Sequence, residues 1–208
     1  MVIPWVKVVW ISDHKGYGLF ADRFIPKGTI TFAQDGLDIV ISNQQLETVD
    51  PILRENVEKY SYEDYMGNRI VSWDLGKYMN HDDRASTLST GYGFEIAVRD
   101  IQKGEEVTDD YRIFSTHHDT TFTVPVGSFK DFTPWGQDLI DQWDVKVKEA
   151  LAVITEVDQP LKDFIDTRLW SEVLALKKST RNYRSVSTAF PLRYKLLTEG
   201  RLPEKSAF

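Results

Sequence analysis

The chain has 208 residues, 41% of them hydrophobic and 27% charged, enough for one well-packed core or for a domain with an appendage. It contains no cysteine, which excludes disulfides and cysteine-ligated zinc. A formal net charge of −7 argues against a general nucleic-acid binder, which needs clustered Lys and Arg; it suits a basic partner, although acidic surfaces also serve solubility alone.

In chain order, residues 6–11 (Val-Lys-Val-Val-Trp-Ile) are β-branched and aromatic and read as a strand. That run is too short to span a membrane, and no basic start with an apolar signal core precedes it. The expectation is a soluble intracellular protein, cytoplasmic in a prokaryote and cytoplasmic or nuclear otherwise. His14-Lys15-Gly16-Tyr17-Gly18 reads as a turn leading into an extended run over 19–21, and Ile25-Pro26-Lys27-Gly28-Thr29 as a second turn. Further strands are expected over 30–32 and 38–41. Leu46, Val49, Ile52, Leu53 and Val57 recur at helical spacing, with Pro51 dividing two helical pieces. Strands over 94–98 and 107–108 flank a tight turn at 102–104, and Phe122-Thr123-Val124 reads as one more short strand.

After about Pro134 the pattern becomes helical. Leu139, Ile140, Trp143, Val147, Leu151, Ile154 and Val157 form one stripe. Pro160 is expected to open a second helix with Leu161, Phe164, Ile165, Leu169, Val173 and Leu176 on its apolar face. A short third helix is expected over 191–199, ended by Gly200. The organisation expected is mainly β with α: a β-rich domain over 1–122 with a helical insert at about 43–66, then a helical extension over 123–208 that packs on it or on a partner.

Taken singly, the polar motifs are ambiguous. Gly16-Tyr17-Gly18 lets the backbone turn and approach a ligand, yet lacks the third glycine and helix of a dinucleotide fingerprint. Asn80 suits a turn, and His81 suits a satisfied polar position or a metal ligand, although no cysteine or second histidine stands at ligand spacing. His117-His118-Asp119 are adjacent residues, which rarely point at one ion, so no metal is expected. Tyr111 alone reads as a packed or exposed tyrosine after a charged turn.

Their order and spacing carry more. Over roughly residues 5–114, Lys15-Gly16-Tyr17-Gly18-Leu19-Phe20-Ala21, then Ile25-Pro26-Lys27-Gly28, then Asp74-Leu75-Gly76-Lys77-Tyr78-Met79-Asn80-His81, then Lys103-Gly104-Glu105-Glu106-Val107-Thr108-Asp109-Asp110-Tyr111 resemble a SET domain. This is the fold of protein lysine methyltransferases that use S-adenosylmethionine and release S-adenosylhomocysteine. The resemblance implies a β-clip fold of short strands, with the Tyr111 segment threaded beneath the loop carrying Asn80-His81. It further implies that Lys15, Gly16, Tyr17 and Gly18 contact the methionine end of the cofactor, that the Asn80 side chain lies near its amino-acid end, and that His81 backbone groups bond adenine. Tyr111 is the implied catalytic tyrosine. A second tyrosine of the lysine channel falls at Tyr60, with Tyr62 or Tyr65 as alternatives. In the absence of a cysteine-rich zinc segment, Trp135, or another aromatic such as Phe132 within 122–135, is expected to cover adenine by stacking.

The implied partner is a lysine-bearing protein, histone or non-histone, with no nucleic acid and no membrane. The extension is expected to select the substrate or to build a homodimer. The pattern departs from the family at Asp82, where Ser is usual; at Arg84-Ala85-Ser86-Thr87, where a Pro-Asn pair is usual; and at Arg112, where Gly is common. These departures bear on the loop beside the cofactor and on the rim of the lysine channel. They motivate an alternative, a SET module that binds a lysine-bearing protein without catalysis. A third reading is an interaction protein whose helical extension carries the function.

Overall fold

The computed structural model describes residues 1–114 and 137–191. Strands β1 (Val6–Ser12) and β2 (Gly16–Ala21) form an antiparallel hairpin registered from Val6 opposite Ala21 to Ser12 opposite Gly16. The turn is therefore shorter than the sequence suggested. It occupies residues 13–15, and only Gly16, at φ +73°, takes the left-handed backbone that glycine tolerates. Ser12 Oγ accepts from the Lys15 N–H at 3.1 Å and fastens the turn. Tyr17 and Gly18 lie within β2.

Strands β3 (Ile30–Ala33) and β4 (Ile39–Ile41) follow, then helices α1 (Asn43–Thr48) and α2 (Pro51–Tyr60). Ser42 and Gln45 form a capping box on α1, and Asp50 caps α2 with Pro51 in its first turn, so the division at Pro51 has a local cause. Neither helix buries a residue, and Ile52 and Leu53 are 71% and 60% exposed. Helical spacing located these helices but did not mark a core stripe. The sequence pattern also missed four short strands: β5 (Ser61–Glu63), β6 (Arg69–Val71), β7 (Asn80–His81) and β8 (Thr87–Ser89). Segments of two or three residues carry too little alternation to be read. Strands β9 (Phe94–Ala97) and β10 (Glu106–Asp109) complete three sheets, ordered β1-β2-β10-β7, β3-β9-β8 and β4-β6-β5.

Helix α3 (Gln137–Ala152) buries Trp143, Val147, Ala150 and Leu151. These join Leu19, Ile30, Ile96, Ile101 and Val107 in one core cluster that also takes in Val186 and Phe190. Ile154 is buried too, but beyond the helix end. Pro160 does not open an α-helix. A single turn of tighter helix covers Lys162–Phe164, and α4 (Thr167–Ala175) starts where the Asp166 carboxylate accepts from the N–H groups of Arg168 and Leu169 at 2.9 and 3.1 Å. Tertiary bonding holds the chain around Pro160: Gln159 donates to the carbonyls of Gly28 and Ile154, both at 2.7 Å, and accepts from the Ile30 N–H at 2.9 Å. The strand expected at 122–124, and the third helix from residue 192 onward, lie outside the described residues. Among the described residues no helix is long and apolar enough to cross a membrane.

Candidate functional site

Strand β10 joins the distant motifs. Its first half pairs antiparallel with β2, Glu106 opposite Phe20 and Val107 opposite Leu19. Its second half pairs parallel with β7, Thr108 opposite Asn80 and Asp109 opposite His81. The segment after β7 continues along β10. The Asp82 N–H donates to the Asp109 carbonyl and the Ser86 N–H to the Thr108 carbonyl, each at 3.1 Å, while Ser86 Oγ accepts from the Thr108 N–H at 3.0 Å.

At one end of this junction Asn80 Nδ2 donates to the Tyr17 carbonyl at 3.0 Å and to Glu106 Oε1 at 2.9 Å, and Lys15 Nζ pairs with Glu106 Oε2 at 2.6 Å. An ammonium, a carboxylate and an amide thus converge on the Gly16–Gly18 strand. Such a set complements a zwitterionic amino-acid head, whose carboxylate meets Lys15 and whose ammonium meets Glu106. Gly16 faces open space, whereas a Cβ on Gly18 would come within 2.7 Å of Ile11 Cδ1 and 2.8 Å of both Asn80 Nδ2 and Glu106 Oε1. Gly18→Ala should therefore push Asn80 and Glu106 apart and lower the stability by about 1–3 kcal/mol, measurable by denaturant unfolding; an unchanged midpoint would show that the cluster yields without strain.

At the other end, Tyr111 begins a turn of tight helix, Tyr111–Ile113, capped by Asp110. Its N–H donates to His81 Nδ1 at 3.1 Å, its hydroxyl donates to the Met79 carbonyl, and its ring packs on His81 and Phe114 with centroids 5.6 and 5.3 Å apart. His81 therefore positions Tyr111 through its side chain, a role its sequence context did not suggest. Burial, then the nearby carboxyls of Asp109, Glu95 and Glu106, raise the Tyr111 hydroxyl above its ordinary range, so it remains protonated.

Two aromatic rows flank the junction. Phe114 contacts Tyr62 at 5.8 Å and Tyr62 contacts Phe32 at 6.0 Å, extending the row of Tyr111 and His81. The other row runs Trp10, Tyr17, Tyr78, Tyr60, with centroid spacings of 5.0, 5.8 and 6.3 Å. Tyr60 thus stands with Tyr17, Tyr62 with Tyr111, and Tyr65 is exposed. Trp135, Phe132 and His117-His118-Asp119 lie outside the described residues. Among the described residues no group of three or more His, Asp or Glu could hold a metal ion.

The unusual residues after His81 and after Tyr111 engage each other. The Arg112 guanidinium grips Asp110 at 2.6 and 2.5 Å, reaches Asp83 at 3.2 Å and lies over the Trp143 ring at 5.6 Å. Trp143 Nε1 donates to Asp110 at 3.0 Å. Arg112 is directed toward α3 and the 82–84 loop. Sequence reasoning gave no role to Glu106, Glu95 or Asp109. The signal available was a Glu inside an otherwise apolar strand, Phe94-Glu95-Ile96-Ala97, and two consecutive Asp before Tyr111.

Comparison with known proteins gives one family match: the model described as SET domain covers residues 16–112. No curated protein matches. A solved structure from Plasmodium falciparum, described as a "putative histone methyltransferase", is similar with a TM-score of 0.39 and 20% identity, over 53% of this chain and 95% of that one.

Proposed function

The chain carries a SET domain over residues 16–112 and belongs to that family, and from this premise we propose that it is a protein-lysine N-methyltransferase using S-adenosylmethionine. The observation that carries the reading is the two-strand junction at β10. It sets Asn80, Glu106 and Lys15 at one end and Tyr111, held by His81, at the other. Bound S-adenosylmethionine supplies an electrophilic methyl group on a sulfonium centre.

Lys15, Glu106 and Asn80 would hold the amino-acid end of the donor, with the Gly16–Gly18 backbone beside it, and His81 backbone groups would bond the adenine. Tyr111 orients the acceptor amine. Methyl transfer to an amine is an in-line displacement, so alignment of two reactants is the main task. A free lysine has a pKa of about 10.4, and only its neutral form has the lone pair to attack. The row of Tyr111, Phe114 and Tyr62 supplies an apolar wall, and desolvation there lowers the pKa of an entering ammonium. The acidic chain favours a basic protein as substrate. The helical extension, with α3 and α4 among its described residues, selects that protein.

The test is transfer of labelled methyl groups from S-adenosylmethionine to a panel of basic proteins, with donor binding followed by calorimetry. The wild type should bind the donor and label at least one protein lysine. Asn80→Ala should weaken donor binding by about 10- to 100-fold, as expected for loss of a hydrogen bond to a charged group. A wild-type chain that binds no donor would overturn the reading, and binding without transfer would favour a non-catalytic module.

A further inference from the structure

Glu95 stands at the centre of β9, opposite Phe32 on one neighbouring strand and Ser89 on the other. Asp109 ends β10 opposite His81 and is 1% exposed. The strands belong to different sheets, yet the two carboxyls meet in the interior within hydrogen-bonding reach of each other. With both ionised, Glu95 Oε2 and Asp109 Oδ2 are buried without a donor among the described residues. Two carboxylates cannot both stay ionised in one dry site. A single shared proton supplies the missing donor and leaves the pair with one negative charge.

The neighbouring charges are already engaged. Asp110 is gripped by Arg112 and Trp143, and Glu106 by Lys15 and Asn80. The amino group of Met1, which Glu95 also feels, pairs with Asp35 at 3.0 Å, and Asp38 accepts from the Trp73 N–H at 3.3 Å. Asp64 is bonded to Asn68, and His81 Nδ1 accepts from Tyr111. Among the described residues neither Glu95 nor Asp109 forms an ion pair. Tyr111 and Tyr62 both sense the charge of this pair: Glu95 and Asp109 raise the first hydroxyl and Glu95 the second, in each case after burial. The pair therefore lies near Tyr111, which follows Asp109 by two residues.

We propose that the Glu95–Asp109 pair is an anionic seat for the acceptor, taking the incoming ammonium as its missing cation and receiving the proton that the amine must lose. This rests on the reading of Tyr111 as the acceptor-side hydroxyl. An N–H bond of the ammonium breaks and its proton goes to the ionised carboxylate, so the pair becomes neutral with both carboxyls protonated. The freed nitrogen lone pair forms the C–N bond as the C–S bond of the sulfonium donor breaks, and the sulfur leaves as a neutral thioether. The product methylammonium carries the positive charge, and the pair returns one proton to water. A base serves best when its pKa lies near the working pH. Burial pushes Glu95 up to about 7, and burial together with Glu95 holds Asp109 well above the carboxylate range.

The test is carbon-13 NMR of the full chain labelled at Asp and Glu carboxyls, titrated alone and with n-butylammonium chloride. One carboxyl should titrate at about 7 and vanish from the spectrum of Glu95→Gln. Saturating n-butylammonium should lower that midpoint by about 1–3 units, because a cation favours the ionised form. Carboxyls that all ionise in the ordinary range, or a midpoint indifferent to the amine, would overturn the proposal whether or not methyl transfer is detected. In the transfer assay kcat/KM of the wild type should rise with pH and level off above about 7. Glu95→Gln should lose that inflection and run about 100-fold slower at neutral pH with donor affinity intact. An inflection retained in Glu95→Gln would overturn the proton-accepting role. A wild type that titrates as described but transfers nothing would defeat the methyltransferase reading and leave the cation seat standing.

Discussion

Tyr111→Phe should bind the methyl donor as tightly as the wild type and transfer methyl groups about 100-fold more slowly or worse, the usual scale for loss of one positioned catalytic hydroxyl. The substitution is selective. Phenylalanine keeps the ring contacts with His81 and Phe114, and the backbone N–H of residue 111 still donates to His81 Nδ1. Only the hydroxyl goes, and the Met79 carbonyl loses its donor, a loss of about 1–2 kcal/mol in stability. Label transfer, donor calorimetry and denaturant unfolding on the same preparation separate these effects. Unchanged transfer would remove Tyr111 from the chemistry. A loss confined to donor affinity would move it to the Lys15–Glu106 end.

Arg112→Ala should lower the stability by about 3–5 kcal/mol, the range for breaking a buried ion pair by removing one partner. The Arg112 side chain is 11% exposed and that of Asp110 1%, so solvent screens this pair little. Without the guanidinium, Asp110 keeps, among the described residues, only the Trp143 indole and the backbone N–H of residue 112 as donors to its carboxylate. The contact to Asp83, whose side chain is 41% exposed, adds little by itself. Adding Asp110→Asn to Arg112→Ala should recover part of the loss, because the uncompensated charge is its main source. Urea unfolding of both variants is the measurement. A change below about 1 kcal/mol in Arg112→Ala would mean that water replaces the guanidinium, as it does at surface pairs.

The Arg112 pair also shows where sequence reading stops. Asp82 to Thr87 and Arg112 read as separate departures from a family pattern. In the fold, Arg112 reaches Asp83 and a tryptophan of α3, so the two departures belong to one bonded unit. Nothing local to either segment encodes that contact. The channel tyrosine is a similar case. Tyr60 ends α2 and Tyr62 lies in β5, and the switch from helical to extended backbone between them sends the two rings into different aromatic rows.

The sequence by itself determined the features whose causes are local. These are a turn near residues 14–18, which the structure sets at 13–15, the turn over 25–29, the division of helices at Pro51 and the helix that carries the stripe from Leu139 to Leu151. Through motif order it also pointed to the SET-domain family, matched over residues 16–112, and to Asn80, His81 and Tyr111 as candidate site residues. Only the tertiary structure decided what those residues touch. The parallel pairing of β7 with β10 spans two residue pairs and is too short for any periodicity to announce. Yet it sets Glu106 against Asn80 and Lys15 and brings Asp109 to Glu95 from another sheet. A carboxylate in the sequence looks the same whether it is solvated or buried. Its chemistry follows from the neighbours and the dielectric around it, and those exist only once the distant strands have closed over it.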